Sequence, residues 1–98
     1  MYSMNELLNL VCNERAEVLR LRVGEPPVIV LQGVSREVGL WSITAEDAEQ
    51  FLLCIADTRH RREIWENGSA VFLYEAGGSE RFLVEARLVG DFVELEIR

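Results

Sequence analysis

The sequence contains no lysine: its ten basic residues are all arginine, set against seventeen carboxylates, for a formal charge of −7. A molecule this acidic repels phosphate backbones, so no nucleic-acid partner is expected. Arginine throughout is what coding bias gives on a solvated surface; the other reading is a set of forked contacts to carboxylate or phosphate. Long apolar runs are missing too. Nothing approaches the roughly 18 apolar residues of a membrane span, and the opening MYSMNELLNL has no basic segment, so neither signal-peptide export nor membrane insertion is expected. Cysteine is scarce. Cys12 and Cys54 fall in separate apolar helical patterns and read as reduced core thiols of a cytoplasmic protein rather than as a disulfide.

Catalytic signatures are absent as well. The chain has no G-x-x-x-x-G-K-[ST] phosphate loop, and its residues assemble no nucleophile with a base, no paired acid and base, and no metal cage, so neither an enzyme nor a cofactor is expected. The one histidine, His60, stands among Arg59, Arg61 and Arg62, where neighbouring positive charge disfavours the imidazolium. It reads as part of a solvated helix face, with an anion-binding patch as the alternative. Glu94 and Glu96, with Glu85 across the ladder, read as a solvated strand face rather than a cation site. Gly77-Gly78-Ser79 is glycine-rich but lacks the lysine and the following helix of a phosphate loop, and reads as a hairpin turn.

What is present describes one domain over residues 1–98, with 49% apolar and 28% charged residues, the balance of an ordinary globular protein. Its organising stretch is LRLRVGEPPVIVLQG, Leu19 to Gly33. Leu19, Leu21 and Val23 alternate with Arg20 and Arg22 as in a strand with one wet face, predicted at about 17–23. Gly24 can take a positive φ and the two prolines fix theirs, so the chain reverses before a second strand, Val28 to Leu31, whose unbroken apolar run predicts a central place in a sheet. Val34 to Val38 is shorter and more polar and pairs back as an edge strand.

Helical spacing frames these strands. Met4, Leu7, Leu8 and Val11 predict an opening helix over 4–14 with Ser3 and Glu6 as its capping box. Thr44 with Asp47 predicts the start of a helix over 45–56, buried through Ala48, Phe51, Leu52, Ile55 and Ala56. Asp57 or Thr58 then caps RHRREIWEN, which turns Ile64 and Trp65 inward and ends at Gly68. From Ala70 the period becomes two: Ala70, Phe72 and Tyr74 share a face, then Phe82, Val84, Ala86 and Leu88, and after a Gly90-Asp91 turn Val93, Leu95 and Ile97. The predicted class is α+β, an antiparallel sheet of five to six strands with helices on one face. No internal repeat or low-complexity segment interrupts it.

The G-x-P-P turn at Gly24, Pro26 and Pro27, the hairpin at Gly33, the helix opened by Thr44, R-R-E-x-x-E-x-G from Arg61 to Gly68, and Arg81-Phe82 after an aromatic strand occur in an order that resembles one family. It is the amino-terminal domain of the type IV pilus retraction ATPase and its secretion-ATPase relatives, and the resemblance covers nearly the whole chain. It implies a PAS-like fold that precedes a RecA-like motor domain, packs against it in hexamers, and lends arginines near its last strands to hold nucleotide. This chain departs where the family reads R-F-R-V and a further arginine, having Leu83 and Leu88, and where the family often has Asp-Leu-His, having Val18, Leu19 and Arg20. Each missing charge-assisted bond forfeits roughly 1.5 to 3 kcal/mol. Two together weaken a phosphate grip by about two to four powers of ten.

Nucleotide binding is therefore not carried over. The resemblance implies instead a non-enzymatic module that docks on a motor ATPase or on itself, with Arg20, Arg22, Leu83, Arg87 and Leu88 as candidate partner-binding residues. Two other readings stand beside it: a small-molecule sensor with a ligand between sheet and helices, and a piece of a longer pilus or secretion ATPase.

Overall fold

A serine or threonine ahead of an apolar stripe starts each of the first two helices. The computed structural model describes residues 2–76 and 80–98. The Ser3 hydroxyl accepts the Glu6 N–H at the head of α1, Met4–Glu14, which buries Met4, Leu7, Leu8 and Val11. Thr44 and Asp47 form a complete capping box ahead of α2, Ala45–Ile55: the threonine hydroxyl accepts the Asp47 N–H at 3.0 Å and the carboxylate accepts the Thr44 N–H at 3.1 Å. Asp57 caps α3, Thr58–Asn67, which stops at Gly68 in the left-handed region.

The strands are β1 (Val18–Leu21), β2 (Val28–Leu31), β3 (Val34–Glu37), β4 (Ser69–Glu75), β5 (Arg81–Val89) and β6 (Phe92–Ile97). They form one fully antiparallel sheet in the order β3-β2-β1-β6-β5-β4. Two meanders, β1-β2-β3 and β4-β5-β6, therefore meet along the β1–β6 seam. This is the predicted α+β sheet with helices on one side. The helices cover the face that carries Leu19, Leu21, Ile29, Phe72, Phe82, Val84, Ala86, Leu95 and Ile97, all buried with the apolar stripes of α1 and α2 and with Ile64 of α3 in a single core.

The proline turn is tied to this core. Gly24, at φ +91, donates to the carbonyl of Ile43, whose own N–H returns to Glu25 at 2.9 Å, so the segment ahead of α2 runs beside the turn and buries Ile43. β1 consequently stops at Leu21, short of the predicted residue 23, because Val23 bridges to Ile43 instead. β2 is second from the edge rather than central. Only Ile29 of β2 is fully buried; Val28 and Val30 lie on the open face, half covered by neighbours such as Arg20 and Val18, which explains an apolar run without two covered faces. β3 is the expected edge strand.

Four side chains depart from expectation. Trp65 is exposed and Ile64 is the one fully buried side chain of α3, because a helix resting on a strand by one narrow stripe leaves the next residue about 100° round its axis. Both cysteines are exposed free thiols, not core groups. His60 is not on a solvated face: its ring stacks on buried Phe72 with centroids 4.5 Å apart, and its Nδ1 lies 2.9 Å from Asp57. The Gly77-Gly78-Ser79 turn expected between β4 and β5 lies outside the described residues.

Candidate functional site

The helix-free face of the sheet gathers most of the candidate partner-binding residues. Alternation on β1, β5 and β6 puts Arg20, Leu83, Glu85, Arg87, Glu94 and Glu96 on it, opposite to the buried set, and antiparallel register then sets them side by side. Arg20 lies across from Glu96, Glu96 from Glu85, and Glu94 from Arg87. Arg22, just past β1, continues the row.

The resulting charges form one network. The Nε atoms of Arg20 and Arg22 stand 3.7 Å from Glu96 and Glu94, Arg87 is 3.9 Å from Glu94, and Arg98 pairs with both Glu85 and Glu96. Four arginines thus meet three glutamates. The glutamates are neutralised rather than set out as an acidic strip, and among the described residues no cluster with metal-ligand character occurs. Separations of 3.7 Å are too long for hydrogen bonds, and the buried Nε–H groups of Arg20 and Arg22 have no acceptor. Both guanidinium groups are only about a third exposed and sit beside their glutamates.

Beside the network runs an apolar strip. Leu83 is 37% exposed and faces Leu73, 66% exposed, on β4, with Val71, 63% exposed, next along that strand. Leu88 does not join them: it lies on the inner side of β5, half buried against the core. Four of the five sequence candidates are thus brought together, and Leu88 is separated from them by strand parity. Val71 and Leu73 were legible only as the alternate positions of β4, and their signal was that both faces of VFLY are apolar.

Other surface features lie apart from this face. Leu40, 87% exposed, and Trp41 project between β3 and α2, and the Tyr2 hydroxyl holds both the N–H and the carbonyl of Trp41. A hollow of about 540 Å³ lies among Glu46, Glu49, Trp65, Asp91 and Phe92, largely exposed residues, so it is a surface depression and not a chamber between sheet and helices. Cys12 donates to a Glu80 carboxylate oxygen at 3.2 Å; desolvation, then this bond and the glutamate's charge, push its thiol above the ordinary value. Among the described residues no helix is long and apolar enough to cross a membrane.

The architecture is that of the amino-terminal region of pilus and secretion motor ATPases. The whole chain superposes on 29% of the pilus retraction motor PilT, solved with bound ADP, at a TM-score of 0.89 and 21% identity. The ATPase DotB of Legionella pneumophila matches 97% of the chain over 27% of its own length, with TM-score 0.79 and 16% identity. DotB of Yersinia pseudotuberculosis matches 97% of the chain over 28% of its own, with TM-score 0.71 and 12% identity. The chain therefore spans under a third of the length of these proteins and matches the part ahead of their motor domain. No protein-family profile and no curated protein sequence matches it significantly.

Proposed function

We propose that this chain is a non-enzymatic protein-interaction domain of the pilus and secretion motor type, which docks on a motor ATPase on the cytoplasmic side through the open face of its sheet. The observation that supports it is the full-length superposition on the PilT amino-terminal region at a TM-score of 0.89, joined to a sequence without a phosphate loop. The partly exposed guanidinium groups of Arg20, Arg22 and Arg87 offer positive charge to a partner's carboxylates, and Val71, Leu73 and Leu83 supply the apolar area a contact needs.

The test is co-purification with a pilus-type motor ATPase. The wild-type chain captures it, Arg22→Glu and Leu83→Asp lose the capture, and Trp41→Ala, away from the face, keeps it. Capture undiminished by both face substitutions overturns the reading, as does ATP turnover by the purified chain.

A second reading draws on the coverage of under a third of each motor: the chain as the leading part of a longer pilus or secretion ATPase. The face would then serve the attached motor domain or its neighbour. An open reading frame that runs on past Arg98 into a phosphate loop decides between the two.

A further inference from the structure

The two edges of the sheet are built differently. β3 has four residues, and its Arg36 is drawn to Glu14 of α1 at 3.4 Å. β4 has seven residues, and its open-face positions between Ser69 and Glu75 are Val71 and Leu73, with no charge to blunt the edge. Its bonding parity is fixed at both ends. The Gly68 carbonyl accepts the Leu88 N–H at 2.8 Å and the Ala76 N–H donates to Glu80 at 3.0 Å. In an antiparallel ladder this makes Ala70, Phe72 and Tyr74 the residues bonded to β5. The N–H and C=O groups of Ser69, Val71, Leu73 and Glu75 therefore point away from β5, to an edge where no further strand pairs among the described residues.

We propose that β4 pairs antiparallel with β4 of a second copy about a twofold axis through Phe72, joining two sheets into one. This register sets Val71 against Leu73 of the other copy and Ser69 against its Glu75, uses the whole strand, and makes about eight backbone hydrogen bonds. Both open faces end on the same side, so Val71, Leu73 and Leu83 of the two copies merge into one apolar band. Charge fits as well. Glu75, 3.5 Å from Arg81 of its own copy, meets the short uncharged Ser69 of the other, so no like charges oppose each other across the joint. The net charge of −7 per copy opposes approach at low salt, and at physiological salt a screening length of about 8 Å removes most of that repulsion.

The inference goes beyond motor docking, and the two stand or fall separately: a strictly monomeric chain that still captures a motor ends the dimer alone. In sedimentation equilibrium at physiological salt the full chain associates to a dimer as its concentration rises. Leu73→Lys, at an exposed edge position, stays monomeric with an unchanged far-ultraviolet spectrum. In a Cys12→Ser, Cys54→Ser background, an equal mixture of Val71→Cys and Leu73→Cys oxidises to covalent dimers. Neither does so alone, because only the mixed pair falls within the Cα separation of about 4.4–6.8 Å that a disulfide spans. A monomer at every concentration, a Leu73→Lys variant that still dimerises, or Val71→Cys crosslinking with itself as readily as with Leu73→Cys overturns the proposal.

Discussion

Gln32, like Arg15 at the end of α1, is a non-glycine residue in left-handed backbone. It sits at φ +51 in the two-residue turn between β2 and β3, with Gly33 at +78 beside it. Left-handed backbone costs an ordinary side chain roughly 1–2 kcal/mol, and asparagine tolerates it better. Gln32→Asn is expected to raise stability by about 0.5–1 kcal/mol in urea denaturation. Gly39 offers the reverse case. At φ +129, an added Cβ would stand 2.5 Å from the Tyr2 hydroxyl, so substitution there dislodges the ring that holds Trp41. The pKa of the Cys12 thiol is raised first by desolvation and then by one neighbour. Removing the charge with Glu80→Gln lowers the thiol's pKa, so alkylation by iodoacetamide near neutral pH is expected to quicken severalfold; an unchanged rate shows that Glu80 does not govern it.

At the scale of elements, the helix starts were the most legible part of the sequence, because a cap is a local arrangement of three or four residues. Thr44 and Asp47 announced α2, and the structure closes both halves of their box with Asp47 buried. Thr44→Ala is expected to cost about 1–2 kcal/mol in chemical denaturation. Asp57 does similar work for α3. The His60 N–H, and then the imidazole and Arg59, hold its carboxyl below the ordinary 3.8 against some desolvation. A lowered native pKa means that its contribution is present above the unfolded value and lost as pH falls through the native one. Thermal melts between about pH 5 and pH 2 are therefore expected to show Asp57→Asn, which keeps a capping oxygen, losing less stability than the wild type. Harder to read were features that depend on what lies across space. Trp65 looked inward by spacing and β2 looked central by its apolar run, while Leu88, aligned by alternation with Phe82, Val84 and Ala86, became a contact candidate only through the family comparison and lies on the core side.

Across the whole molecule, burial and charge divide between the two faces of the sheet, and so does their weight in stability. The arginine–glutamate network lies partly exposed on the open face, and pairs reached by solvent contribute about 0–1 kcal/mol each. Arg20→Ala is expected to stay within that range, whereas Leu95→Ala, at a core position 1% exposed on the seam strand, costs about 2–5 kcal/mol in the same denaturation series. Equal losses would mean that the charged lattice, not the packed side, carries the fold. The candidate site was half legible for the same reason. Arg20 and Arg22 could be named from alternation, and Leu83 from where the chain departs from the family, but that the arginines are already engaged by Glu94 and Glu96 depends on β1 lying beside β6, a pairing between chain segments more than seventy residues apart.

That pairing also orders events during synthesis. The β1-β2-β3 meander is complete once Glu37 has left the ribosome, but its β1 border stays raw until β6 emerges some sixty residues later. A nascent chain therefore waits with one unfinished margin and no means of sealing it, at the stage when stray strands are most easily captured by the wrong neighbour. Leu21 and Leu95, opposite each other at the join, are the side chains whose meeting ends that interval.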